Sequence, residues 1–159
     1  MLKRVTKSTV NATAASFAIV ASKYNGRYVD AMLRAAQREL KRAGAKVRVV
    51  RVPGAFEIPA VAAALAAGSA RPESRPAAII CLGVIFQGQT SHAQHIGWGI
   101  THALAGIQVQ HKLPVVHGVF IFEKEDHAKV RCLGRTHNRG TEAAHTALAM
   151  AKVMEKIRC

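Results

Sequence analysis

Gly88-Gln89-Thr90-Ser91-His92 follows the most apolar run of the chain and precedes a stretch of helical periodicity. A turn from strand to helix leaves free N–H groups at the positive end of the helix dipole, which suits an anion. Thr90 or Ser91 could equally do no more than cap the helix, and the glycine spacing matches neither a P-loop nor a dinucleotide fingerprint. His92 and His95 lie three residues apart, so they share a helix face and one of them can look into a crevice at the strand ends. An imidazole changes charge near neutral pH, which suits proton transfer. A metal pair would want a third ligand, and the sequence has no HExxH or CxxC element to supply one. A hydrogen-bonded structural role is the default for His95, His102, His111, His127 and His145.

Two further charges stand out. Glu57 is one of nine acidic residues and sits in the apolar segment Gly54-Ala55-Phe56-Glu57-Ile58-Pro59. A carboxylate there costs energy unless it is paired or binds something; the other reading is that it caps the helix begun at Pro59. Arg131 would add a bidentate, charge-assisted contact to a phosphate held at the Gly88–His92 turn, or it is one surface arginine among several.

These residues need elements to hold them. Ser16 to Ala21 reads as a first strand, and its run Phe17 to Ala21 is apolar on both faces, as a strand covered by helices on both sides must be. Val29, Met32, Leu33, Ala36 and Leu40 recur at helical spacing, with arginines opposite and Gly44 as the stop, which makes about four turns of helix. Val47 to Val52 is a β-branched strand, and an alanine-rich helix is expected from about Pro59 to Ala67. Gly68 and the Pro72 to Pro76 stretch form a loop, and Ala77 to Phe86 is the central strand. A helix follows from about Ser91 to Gln108, a strand from Pro114 to Phe122, and a short helix from about Glu125 to Val130. Asn138-Arg139-Gly140 opens the last helix. Strict alternation with right-handed crossovers predicts an α/β fold, a three-layer α/β/α sandwich around a four-stranded parallel sheet in flavodoxin-like order. Residues 1–14 form a loose tail, and residues 15–159 a single domain. Functional groups gather at the carboxyl ends of such strands. That rule selects Ser22 to Asn25, Pro53 to Glu57, Gln87 to His92, and the stretch after the fourth strand through Arg139.

The 159 residues carry 23 Lys and Arg against nine Asp and Glu, a formal charge of +14. Nucleic acid, a membrane surface or phosphorylated substrates all fit that balance. Arg34, Arg38, Lys41 and Arg42 share one helix, for which a solvated face is the simpler reading. The five Phe, two Tyr and one Trp are not interleaved with basic residues as a strand-stacking platform requires, so nucleic acid is not expected. No apolar stretch approaches the roughly 20 residues of a bilayer crossing. Lys3, Arg4 and Lys7 precede a mildly apolar stretch, but Asn11, Thr13 and Ser16 interrupt it, which argues against a signal peptide. Three cysteines, Cys81, Cys132 and Cys159, without CxxC spacing argue against a disulfide framework, and the cytoplasm is the expected compartment.

Read together, Val52-Pro53-Gly54-Ala55-Phe56-Glu57-Ile58-Pro59, Gly83 to His92, and Arg131 to Gly140 ending in Asn-Arg-Gly closely resemble the 6,7-dimethyl-8-ribityllumazine synthase family. The order and separation of the motifs agree from Tyr24-Asn25 to the final helix. The resemblance implies condensation of 5-amino-6-ribitylaminouracil with 3,4-dihydroxy-2-butanone 4-phosphate, with loss of phosphate and water, and without cofactor or metal. It implies that Gly88, Gln89, Thr90 and Arg131 hold the phosphate, that His92 moves protons, and that Tyr24 stacks on the pyrimidine. Asn25, Ala55, Phe56 and Glu57 would meet the pyrimidine and ribityl chain, Ile85 and Phe86 would line the ring pocket through their backbone, and Arg139 matches a family lysine near the ring.

There are three departures. Gln87 stands where many members have arginine, Gln94 replaces an acidic residue after the histidine, and His117 replaces an aromatic that reaches a neighbouring subunit's site. The resemblance further implies a homo-oligomer built on pentamers, with sites at subunit boundaries. The expected geometry brings Arg131 to the turn of His92, with Glu57 facing both across a protomer contact. The alternatives are a catalytically weakened paralogue that binds a lumazine or flavin, and a basic shell protein that binds nucleic acid or acidic cargo.

Overall fold

The computed structural model describes residues 12, 14–68 and 75–158. Of the tail expected over residues 1–14, all but Ala12 and Ala14 lies outside the described residues, as do most of the Pro72 to Pro76 loop and Cys159. The elements are β1 (Ser16–Ser22), α1 (Gly26–Arg42), β2 (Lys46–Val52), α2 (Ile58–Ala67), β3 (Ala78–Phe86), α3 (His92–His111), β4 (Val115–Phe122), α4 (Glu125–Ala128) and α5 (Arg139–Arg158). The strands are all parallel, in the order β2-β1-β3-β4. This is the expected α/β/α sandwich.

Alternation along each strand explains the runs that are apolar on both faces. Phe17, Ile19 and Ala21 of β1 and Ile80, Leu82 and Val84 of β3 enter one core with α1 and α5. Ala18, Val20, Ile79 and Cys81 enter a second core with α2 and α3. Burial of Cys81 in that core pushes its thiol up to about 12, so it packs as a small hydrophobe.

Each strand differs from expectation by a single residue at one end, and three helix boundaries differ for physical reasons. A 3-10 turn, Ala55–Glu57, precedes α2, which therefore starts at Ile58 with Pro59 in its first turn, where a missing N–H costs nothing. α3 continues to His111 and stops at Lys112, whose φ of 49° is left-handed. The short helix after β4 becomes α4 followed by a π-helical turn, Lys129–Leu133, and π turns carry an extra residue that re-aims side chains. Tyr28 of α1 holds α4 from below, its hydroxyl donating to Glu125 Oε1 at 2.5 Å. That bond raises the pKa of Tyr28 and holds Glu125 below the usual carboxylate range.

α5 crosses α1 at Gly140, where a Cβ would run into the Met32 carbonyl oxygen. Asn138 secures the entry to α5: its Nδ2 donates to the Cys132 carbonyl at 2.5 Å, and its Oδ1 accepts from the Gly140 N–H at 2.9 Å. The obstacle at Gly140 is backbone, so the two helices must part to admit a methyl group. Gly140→Ala is expected to destabilise the fold by about 1–3 kcal/mol or more, read as a lower midpoint in urea. An unchanged midpoint would mean the crossing is loose.

Candidate functional site

The sheet order reverses between β1 and β3, and at such a switch point the loops leaving the strand ends diverge to open a crevice. A cavity of about 690 Å³ occupies it, lined by Tyr24 and Asn25 after β1, Gly54 to Glu57 after β2, Val84 to Phe86 of β3, and Gly88, Thr90 and His92 at the start of α3.

Each contributor is held for a local reason. Asn25 sits just before α1 with φ 55°, a left-handed conformation that asparagine tolerates, and its Nδ2 donates to the Val84 carbonyl at 2.7 Å. The Asn25 amide therefore ties the β1 loop to β3. Glu57 accepts the Gly54 N–H at 2.8 Å, closing the 3-10 turn as a capping box does. It is exposed at the cavity, so the burial cost expected from its apolar neighbours does not arise. Tyr24 and Phe56 are 74% and 64% exposed, which leaves two ring faces free beside the cavity. Phe56 lies over Gly99 of α3, where a Cβ would already touch its ring.

The turn before α3 is braced by Gln87, whose Nε2 donates to the carbonyl oxygens of Gly88 at 3.0 Å and Thr90 at 2.7 Å. Neither Thr90 nor Ser91 makes the side-chain bond of a good N-cap: Thr90 Oγ1 is 3.4 Å from the His92 N–H, and Ser91 Oγ is turned to His95 Nε2 at 3.1 Å. Both hydroxyls stay exposed, as do Gly88, Gln89 and His92, and the turn keeps backbone N–H groups for a ligand.

Four residues assigned by resemblance lie outside this cavity. Gln89 is exposed on the same turn but does not line it. His117 lies on edge strand β4, with Nε2 2.9 Å from Thr101 Oγ1 of α3, where partial desolvation keeps its pKa below the ordinary histidine value. Arg139 pairs with Glu142 in the first turn of α5 and lies 5.7 Å from the Phe120 ring centroid, on the α1/α5 face of the sheet. Arg131 rides the π-helical turn, which packs against α1 and α4. Among the described residues it forms no ion pair.

The expected geometry is thus corrected within one protomer. Glu57 shares the cavity of His92 instead of facing it across a subunit contact, and Arg131 is the group left outside. The topology is the reason: Glu57 follows β2 and His92 follows β3, both on the α2/α3 side of the switch point, whereas Arg131 follows β4 and turns toward α1.

Comparison with known proteins decides what this crevice belongs to. The profile of the 6,7-dimethyl-8-ribityllumazine synthase family matches residues 14–155. The chain is 37% identical over 146 residues to the 6,7-dimethyl-8-ribityllumazine synthase of Stenotrophomonas maltophilia strain R551-3, covering 90% of this chain and 91% of that one. It is 39% identical over 146 residues to the enzyme of that name from Xylella fastidiosa strain 9a5c, covering 90% and 92%. The chain belongs to the 6,7-dimethyl-8-ribityllumazine synthase family.

Two departures from the lumazine synthase pattern now have surroundings. Gln87 spends its amide on the turn and brings no charge. Gln94 is exposed, and among the described residues no hydrogen bond engages the His92 ring, so its orientation is left to packing and to whatever enters the cavity.

Proposed function

We propose that the chain catalyses the condensation of 5-amino-6-ribitylaminouracil with 3,4-dihydroxy-2-butanone 4-phosphate to 6,7-dimethyl-8-ribityllumazine, the penultimate step of riboflavin biosynthesis. One observation carries the site reading: His92, the Gly88–Thr90 turn, Glu57 and the exposed rings of Tyr24 and Phe56 border a single cavity at the switch point.

The chemistry asks little of a protein beyond positioning. An amine attacks a ketone, phosphate leaves, and a Schiff base closes the second ring, so orientation, a phosphate clamp and modest proton transfer are enough. In this reading the pyrimidine stacks on Tyr24, and Asn25, Ala55, Phe56 and Glu57 surround it and the ribityl chain. The backbone of Ile85 and Phe86 lines the ring, and the phosphate meets the N–H groups of Gly88, Gln89 and Thr90. His92 moves protons between the attacking amine and the departing groups.

Among the described residues no Lys or Arg lines the cavity, and a neighbouring subunit is the source we propose for Arg131, with His117 and Arg139 approaching from the same side. α3 supports such an assembly. It has no Lys, Arg, Asp or Glu in 20 residues, yet Trp98 on it is 65% exposed and Val109 76% exposed. A helix flank without fixed charge, carrying an exposed indole, is what subunit burial leaves when one copy stands alone. A homo-oligomer built on pentamers is the form we propose. Among the described residues no helix is long and apolar enough to cross a membrane. Cys81 and Cys132 are buried free thiols, Cys132 pushed up to about 11 chiefly by desolvation, which fits a reducing cytoplasm.

Mixing the purified protein with both substrates and no added cofactor should produce the fluorescent lumazine. Absence of product at saturating concentrations of both would overturn the assignment.

A further inference from the structure

The reaction proposed above uses two of the 23 basic residues, Arg131 and Arg139, and a concavity larger than the cavity of His92 lies away from it. This groove, of about 1310 Å³, runs between α1 and the start of α5 and is walled by the segment that follows the π-helical turn. Arg34, Arg38 and Arg42 line it from α1, and Arg135 faces them from the loop. Lys41 joins Arg34, Arg38 and Arg42 on the outer shoulder of the same helix. Sequence spacing alone reads the α1 arginines as a solvated face. The fold instead adds a fourth guanidinium from a residue about a hundred positions away, and the small side chains of Ala31, Ala35 and Thr141 leave the space between them open.

The charge of the groove is compensated only in part. Among the described residues Glu39 is the only carboxylate lining it, and Arg38, Arg42 and His145 already share it, at 3.6, 3.1 and 3.4 Å. Among the described residues no carboxylate lies within ion-pair distance of Arg34 or Arg135. Both are exposed, and the side chains of Arg38 and Arg42 are 55% and 63% exposed, so all four guanidiniums can be reached from solvent.

Shape and lining select among anions. Ala31 to Arg42 spans roughly 16 Å of helix, and its arginines recur about every 6 Å, a repeat close to that of successive phosphates along a nucleic-acid strand. A compact phosphorylated metabolite would leave most of that length empty. A protein partner would want an apolar or aromatic anchor at its centre, and no Phe, Tyr or Trp lines the groove. The same lack removes base stacking, so recognition is confined to the backbone. We propose that this groove binds a single nucleic-acid strand through its phosphates, without sequence preference, as a property separate from the lumazine chemistry.

The test is fluorescence anisotropy with a labelled 12-nucleotide oligouridylate, titrated with the assembled protein over a range of salt concentrations. Four phosphate contacts predict a log–log salt slope of about −3, from about −0.7 per contact. Arg34→Ala with Arg135→Ala removes two guanidiniums without orphaning Glu39. This pair should weaken binding at least tenfold and flatten the slope by about 1.4. Lys46→Ala with Arg48→Ala removes the same charge from exposed positions on β2 outside the groove and should leave both readings nearly unchanged. Should the alanine pair lose its fold by circular dichroism, Arg34→Gln with Arg135→Gln replaces it, with the same expected loss. Equal weakening by the β2 pair, or no binding at low salt, overturns the proposal. So does displacement of the oligonucleotide by polyglutamate as effective as by unlabelled RNA, which would mark the groove as a site for acidic protein. None of these readings depends on catalysis, so failure here leaves the enzyme assignment standing, and failure of the enzyme assay leaves this one intact.

Discussion

Arg131→Ala is expected to raise the concentration of ketophosphate needed for half-saturation by about 10- to 150-fold while changing kcat much less. The substitution removes a charge-assisted contact of about 1.5–3 kcal/mol, and each 1.4 kcal/mol is a factor of ten in affinity. The contact is made to the phosphate both before and during the reaction, so its loss appears in binding. Saturation by the pyrimidine should stay close to that of the wild type. Arg131→Lys should recover only part of the loss, because an ammonium keeps the charge but not the two-pronged geometry. The structure makes this a sharp test, since Arg131 forms no ion pair among the described residues and has no carboxylate to strand when it is removed. Steady-state kinetics with each substrate varied in turn reads the effect. Saturation by the ketophosphate that does not change would reject the clamp.

The frame of the molecule was readable from the sequence because burial on two faces leaves an unmistakable pattern. A strand covered by helices on both sides must be apolar throughout, and Phe17 to Ala21 and Ala78 to Val84 are. Helix ends were less legible, since α3 passes Gln108 without any residue that signals either continuation or arrest, and its stop depends on the left-handed Lys112. The loop residues of the site were legible in type but not in partnership. Glu57 could be singled out as an unusual carboxylate, yet nothing in the letters says that it reaches back to the Gly54 N–H or that it shares a cavity with His92. Asn25 reads as a turn residue, while its tie to the Val84 carbonyl spans 59 positions. Arg131 and Arg135 illustrate the same limit from the other side. They sit four residues apart in one basic run, but the π-helical turn and the chain reversal before Asn138 send Arg135 into the groove on α1, and Arg131 does not line it. Proximity in sequence misleads there because an irregular turn, unlike a helix or strand, imposes no period from which direction can be inferred.

His92→Ala is expected to lower kcat by about 10- to 100-fold, the low end for a general acid–base group or below it. Two features keep the loss small. The substrates are intrinsically reactive, and the imidazole is exposed, without a carboxylate from Gln94 or any other hydrogen-bond partner among the described residues to orient it. A loss beyond about ten-thousandfold would mean that His92 does more than move protons. Paired with Arg131→Ala, the same variant also tests how the site is assembled. When the two variants are unfolded, mixed in equal amounts and reassembled, a site closed by a neighbouring subunit takes His92 from one protomer and Arg131 from the next. About a quarter of such sites then carry both wild-type residues, and activity at low ketophosphate should rise well above that of either variant alone. If both residues served the same protomer's site, no mixed site could regain the pair, and the activity of the mixture would stay at the average of the two variants.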